Sequence, residues 1–405
     1  MEFNTYTLQN GIRCIHRQVR SQVCHCAMTI NTGSRDELKN QFGIAHLIEH
    51  SIFKGTKKRK AFQINSRLES LGGELNAYTS KEETVIHTTT LKKDTPRAVE
   101  LLSDIIFNST FPQKLVEQEV QVIIDEINSY KDSPSEQIFD DYEDLMFKDS
   151  PLGHNILGTK QKLMKYGRSE IETFMQRTYN TDQMVFSIIG NISEARFITI
   201  CDTYFGDVKA SYRSFEREKT GIYTPFNISK NKNGYQTNCI IGNRAYDINE
   251  PKRVTLGLLT NMLGGPLANS ILNIAVREKK GLTYSIESNY TPYSDTGFFT
   301  TYFSCEHSNA ERCLEIINAE LNNIKNGRLS ARKISMAKKQ YLAQIIIGME
   351  SRESYMFSAA RSYMIFNRVD SMEAINEKIM SITAEEVADV ANEIFNDQMS
   401  TLLFK

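Results

Sequence analysis

Three short segments of this chain recur at close to one spacing, and that repetition constrains the fold more than any other feature. Tyr179-Asn180-Thr181-Asp182-Gln183-Met184 returns as Phe395-Asn396-Asp397-Gln398-Met399, each time after a helical stretch. A helix ending at Phe147 is echoed by one ending at Phe366. Ile30 to Asp36 is echoed by Ile241 to Asp247, in both cases a strand running into a turn with an arginine ahead of the acid. In a chain of 405 residues, echoes roughly 215 residues apart imply two homologous domains. The join falls between Gly206 and Asn233, where Lys, Ser, Thr, Gly and Asn dominate and apolar periodicity lapses. The expected layout is one domain over 1–208, a linker over 209–230 and a second domain over 231–405. Hairpin-like runs (Phe3 to Cys14, Val23 to Thr32, Glu74 to Leu91) are mixed with long helices, which is an α+β pattern and not a regular βαβ alternation.

Composition narrows the function classes. A hydrophobic content of 40% can fill two ordinary cores, and a formal net charge of −1 argues against a nucleic-acid or membrane-surface partner. No apolar run approaches membrane-spanning length. With Glu2 directly after the first methionine, the N-terminus has neither an apolar signal core nor the arginine-rich, acid-poor character of a transit peptide. Asn10-Gly11 between alternating residues reads instead as a hairpin turn. The seven cysteines are scattered and odd in number, and the single residue between Cys24 and Cys26 is not the spacing of a zinc knuckle. Free thiols in a reducing compartment are the simpler account, so a cytoplasmic protein is expected. His16, His87, His154 and His307 have no ligand-spaced partner and are expected to be structural.

The chemistry is carried by His46-Leu47-Ile48-Glu49-His50. On a helix, two histidines four apart project from one face, the geometry of two imidazole ligands on one metal ion, and Glu49 lies within reach of the same ion. This inverted order is one of the known metallopeptidase signatures. The plain alternative is an amphipathic helix that buries Ala45, Leu47 and Ile48 and leaves the histidines at its polar boundary. A third ligand would decide between them, because catalytic zinc sites usually use three protein ligands. The best candidate is Glu126, in a segment from Leu115 to Tyr130 whose apolar residues recur in threes and fours as in a core-packed helix. Glu119 lies two turns earlier on the same face. Taken alone, both glutamates read as a solvated acidic face.

With these residues in place, the chain resembles the pitrilysin family of zinc peptidases, also called the insulysin or mitochondrial processing peptidase family. That family is marked by His-x-x-Glu-His and, some seventy-odd residues later, a glutamate within a helix. The resemblance implies that His46, His50 and Glu126 bind zinc, that Glu49 is the general base and that Glu119 supports the site without being a ligand. It extends to Leu71-Gly72-Gly73-Glu74-Leu75-Asn76-Ala77-Tyr78-Thr79, which reads as a helix end followed by a strand. In the family this is the edge strand that takes the peptide substrate as an added strand, with Asn76 and Ala77 near the scissile bond. A last match is Arg277-Glu278-Lys279-Lys280-Gly281-Leu282-Thr283-Tyr284, after an apolar, helically spaced run from Leu267 to Val276. There Arg277 and Tyr284 are implied to bind the substrate carbonyl and the developing oxyanion. The preceding Leu263-Gly264-Gly265-Pro266 resembles the family's glycine-rich loop.

Overlaying the two halves places Gly257, Thr260 and Asn261 on the His46, Glu49 and His50 positions, and Gln344 and Ile345 near Glu126. One zinc per chain, in the first domain only, is therefore expected. Larger family members join four such domains around a chamber, with zinc in the first and the Arg/Tyr pair in the fourth. A two-domain chain matches half of that, so the resemblance implies a homodimer in which each zinc site is completed in trans by the other copy. The rival readings are a catalytically silent assembly subunit, which would usually have eroded ligands, and a structural or non-peptidase zinc site. A structural site would tend to a fourth protein ligand, and none is evident.

Overall fold

A computed structural model describes residues 3–232 and 234–405. Glu2, used above to weigh a transit peptide, and Asn233, one end of the expected join, lie outside the described residues. The chain groups into two units that are not contiguous in sequence. The first takes residues up to Ile127, then Asn155–Glu218 and Ile347–Ser371, and the second takes Asn128–His154, Lys219–Ile346 and Met372–Lys405.

The first unit holds a six-stranded sheet of β1 (Asn4–Thr7), β2 (Arg13–Gln18), β3 (Val23–Ile30), β4 (Glu74–Thr79), β5 (Thr84–Leu91) and β6 (Met184–Gly190), in the order β1-β2-β6-β3-β5-β4. Neighbours are antiparallel except β2 and β6. The Asn10-Gly11 turn joins β1 to β2 as expected, with Gly11 at a φ of 94°. β6 is buried along its whole length, which explains its nearly unbroken apolar sequence. One face of the sheet, including Cys26, Met28, Ile86 and Phe186, packs on helices through Leu102, Ile105 and Phe197. The other face, including Ile15, Ala27, Val85 and Ile189, is apolar too and must also be covered.

That cover comes from the second half of the sequence. The helix Arg352–Phe366 sets Met356, Ala359, Ala360 and Tyr363 on the sheet, a spacing of three and four that puts them on one helix face. Near its start Glu353 accepts from Thr89 at 3.0 Å and lies 3.1 Å from His87 Nδ1, and near its end the Tyr363 carbonyl accepts from Arg13 at 3.1 Å.

The second unit repeats the plan with β7 (Asn227–Lys230), β8 (Thr237–Ala245), β9 (Thr283–Pro292), β10 (Gly297–Cys305) and β11 (Ser400–Phe404), ordered β7-β11-β8-β10-β9. Only β7 and β11 run parallel, so strand order and direction match β2-β6-β3-β5-β4. Its second face, with Ile240, Tyr302, Leu402 and Phe404, is covered by Ile138, Tyr142 and Met146 of the helix Pro134–Met146, which comes from the first half of the sequence. The α+β class and the repeat are thus borne out, and the Phe147/Phe366 echo marks the two exchanged helices. The contiguous boundaries read from sequence differ from this grouping. Residues 209–218 of the expected linker belong to the first unit, and its last four residues form β7. All seven cysteines are buried and free. Among the described residues, no helix is long and apolar enough to cross a membrane.

Candidate metal centre

The site is built on α1 (Ile44–Ser51) and α2 (Gln113–Lys131), which covers and slightly exceeds the helix expected over Leu115 to Tyr130. Ile44, Ala45, Leu47 and Ile48 of α1 are buried against Val116, Val120, Ile123 and Ile124 of α2. The plain amphipathic reading of α1 is therefore correct for its apolar residues, while the two histidines gather on another face. Gly43 precedes the helix at a φ of 94°, and a Cβ there would come 2.8 Å from the Leu157 carbonyl oxygen. Having no side chain, Gly43 cannot cap the helix. The buried Glu37 carboxylate does so from upstream, accepting from Gly43 N at 2.9 Å and Ala45 N at 2.8 Å.

His46, His50 and Glu126 converge, each offering a donor atom within 4.8 Å of the others. Glu126 Oε2 lies 3.9 Å from His46 Nε2 and 3.8 Å from His50 Nε2, too far for hydrogen bonds. Donors about 2.0–2.2 Å from a tetrahedral zinc ion stand about 3.4 Å from one another, so the three atoms surround space of nearly the size zinc needs. Burial, and after it the neighbouring His50 ring, pushes His46 down to about 4, which leaves its imidazole neutral and able to donate a lone pair at neutral pH. Among the described residues, His46 Nδ1 is buried without a hydrogen-bond partner. Glu119 Oε2 lies 3.2 Å from His50 Nδ1, and its Oε1 lies 2.7 Å from Lys54 Nζ. A carboxylate on the far nitrogen fixes which imidazole nitrogen faces the cluster. The donor set therefore fits zinc.

Burial raises the Glu49 carboxyl above its ordinary range. Thr79, at the end of β4, pulls it part of the way back, although among the described residues the buried Thr79 hydroxyl makes no close hydrogen bond. β4 has one neighbour, β5, with Asn76 opposite His87 and Ala77 opposite Ile86, so it is an edge strand, as expected. Arg277 and Tyr284 belong to the second unit, whereas every residue of the His46 cluster belongs to the first. Tyr284, on β9, is 69% exposed, and the half-exposed Arg277 sits in a π-helical turn over Asn273–Glu278. The helix expected from Leu267 begins only at Ile271, because the chain first has to leave Gly264-Gly265-Pro266. Glu37, Lys54 and Thr79 were not singled out from sequence. The missing cap at Gly43 was the one signal that could have pointed to Glu37.

The family model for Insulinase (Peptidase family M16) matches residues 14–160, and that for the Peptidase M16 inactive domain matches 165–341. The chain belongs to peptidase family M16. An uncharacterized zinc protease of Rickettsia bellii is 32% identical, over 98% of this M16 chain and 96% of its own. Another, from Bacillus subtilis, is 28% identical over 98% and 97%. In fold, a protease from Helicobacter pylori matches at a TM-score of 0.91 and 21% identity, covering 100% of this chain and 99% of that one.

In an M16 chain the second unit can be compared position by position with the metal cluster. Asn261 Nδ2 donates to Gln344 Oε1 at 2.6 Å, so an amide pair links the two helices that correspond to α1 and α2. A Cβ on Gly257 would come 2.8 Å from the Tyr341 hydroxyl, which takes the place an imidazole would need. Among the described residues, His46, His50 and Glu126 form the one group of three suitable donors.

Proposed function

We propose that this protein is a zinc-dependent endopeptidase acting on unfolded peptides and short polypeptides. The observation that carries the reading is the convergence of His46, His50 and Glu126 beside a partly buried Glu49. The names of the zinc proteases it resembles point the same way. A zinc ion held by His46, His50 and Glu126 supplies Lewis acidity to the attacking water and the scissile carbonyl. Glu49 takes the water's proton and passes it to the leaving amine. A carboxyl lifted by burial suits a group that must both accept and donate a proton near neutral pH. Glu119, held by Lys54, accepts from His50 Nδ1–H and keeps Nε2 turned to the cluster. β4 receives the substrate as an added strand along Asn76 and Ala77. Pairing of this kind recognises backbone more than side chains, so sequence preference is loose.

The amide pair of the second unit supports one zinc per chain. Arg277 and Tyr284 donate to the substrate carbonyl and the developing oxyanion. In this reading two copies form a chamber that excludes folded proteins, and each site is completed by Arg277 and Tyr284 of the other copy. The seven buried, unpaired thiols support a cytoplasmic setting.

Zinc-loaded protein should cleave a quenched peptide library, lose that activity to a chelator and regain it on adding zinc. Stoichiometric zinc without cleavage would favour a silent assembly subunit. Lys54→Met should weaken zinc affinity in chelator competition by roughly 10–100-fold, and Lys54→Arg should hold it close to wild type. Unchanged affinity in Lys54→Met would remove Lys54 from the chain of contacts that orients His50.

A further inference from the structure

We propose that Arg217, in the stretch that leaves the first sheet, is a positioning residue for the peptide-binding strand β4. With Arg35 it clamps the turn Ser80–Glu83, which begins one residue past Thr79. This rests on the peptidase reading above and adds to it how the substrate strand is held.

β4 pairs with β5 along one edge, and the other edge must stay open to receive a peptide. A slip of one residue would carry every side chain of β4 to the opposite face and would move Thr79 away from Glu49. Beyond its single ladder, β4 is held by the packing of Leu75, Ala77 and Tyr78 and by what acts at its ends, and the turn at its C-terminal end is held by three separate segments. Ser34 N donates to Ser80 O at 3.1 Å and Arg35 N to Lys81 O at 2.8 Å, so the loop after β3 runs along the turn as backbone. The approach requires glycine at position 33, where a Cβ would stand 2.3 Å from Ser80 O. Arg35 Nη1 then donates to Glu82 Oε1 at 2.6 Å, from a side chain only 1% exposed.

Arg217 joins these parts. Its Nε and Nη2 grip the fully buried Asp36 carboxylate at 2.9 and 2.8 Å, and Nη2 also donates to the backbone carbonyl of Glu82 at 2.9 Å and of Asn31 at 3.1 Å. The third segment is the exchanged helix, whose Arg361 Nε lies 3.9 Å from Glu83 Oε2. The Tyr78 hydroxyl lies 3.5 Å from the other Glu83 oxygen. Buried ion pairs contribute little net stability, because desolvation offsets their attraction, and apolar packing would secure this stretch at least as well. What a planar guanidinium adds is direction, because its fork meets a carboxylate and two carbonyls at fixed angles.

The test uses the full, zinc-loaded chain. Arg217→Lys keeps the charge and loses the fork. Amide exchange over residues 76–83 should speed about tenfold and KM for a quenched peptide should rise about tenfold, while kcat and zinc content stay within about twofold. Glu82→Gln leaves the Arg217–Asp36 pair intact, should shift the same readouts in the same direction, and serves if Arg217→Lys does not fold. Unchanged exchange over 76–83 would overturn the clamp. Faster exchange with an unchanged KM, or kcat and zinc content falling along with KM, would overturn the positioning role. If the wild type binds peptide without cutting it, the peptidase reading fails and the clamp is judged by peptide Kd in place of KM. A wild type that neither binds nor cuts overturns both.

Discussion

Glu49→Gln should lower peptide turnover by three orders of magnitude or more while leaving zinc content unchanged. Gln has the shape of Glu but cannot accept the proton of the attacking water. General acid–base catalysis is typically worth about 10²–10⁴-fold, and in the proposed mechanism one carboxylate serves both the attack and the departure of the amine. Zinc should stay because the donor cluster is His46, His50 and Glu126, of which Glu49 is not a member. The fold should not suffer either. Without metal, burial raises the Glu49 carboxyl, so its ionised form is disfavoured where it sits, and a neutral amide in its place removes that cost. The expected signature is an inert enzyme that binds zinc in full and, once stripped of metal, melts at or above wild type. Glu126→Gln should instead lose metal and activity together. Cleavage by Glu49→Gln above the level of residual wild-type contamination would rule out Glu49 as the base.

What could be read in the sequence, and what could not, follows from where each constraint acts. Spacing within one helix is local, so His46, Glu49, His50 and the span of α2 were legible from it. The Gly72-Gly73 break before β4 and the Asn10-Gly11 hairpin were legible too, since turn chemistry is also local. The exchange of Pro134–Met146 and Arg352–Phe366 between units was not. Periodicity says that Met356, Ala359, Ala360 and Tyr363 share a face but not which sheet that face covers. The same limit applied to β7, whose four residues form a strand because β11, far along the chain, runs parallel beside them. The different grouping of residues 209–218 has a related cause. Arg213 and Arg217 lie in a stretch without apolar period, and nothing local shows that a carboxylate as remote as Asp36 would pair with one of them. Position-by-position comparison of the halves carried further, and Asn261 does meet Gln344 where the metal cluster would have been.

Mixed dimers of Glu49→Gln and Arg277→Ala chains should regain about half of wild-type activity, although neither variant alone exceeds about a hundredth of it. In the trans arrangement, the site on the Arg277→Ala chain retains its own Glu49 and borrows Arg277 from the Glu49→Gln chain, so it is intact. The site on the Glu49→Gln chain lacks its base and is offered no arginine, so it is lost twice over. One working site of two gives the expected half, because a two-fold dimer repeats each contact once per copy. In a cis arrangement every site would carry one lesion. Glu49→Gln sites would be inert, and Arg277→Ala sites would run at about a hundredth of wild type or less, the usual effect of deleting one oxyanion donor. The gap between half and a hundredth is wide enough to survive incomplete mixing, provided that dimers carrying two different tags are isolated before assay. The exposure of Tyr284 and the half-exposure of Arg277 suit residues that await a second surface. Doubly tagged dimers no more active than Arg277→Ala alone would remove the second copy from the active site and leave Arg277 acting within its own chain or not at all.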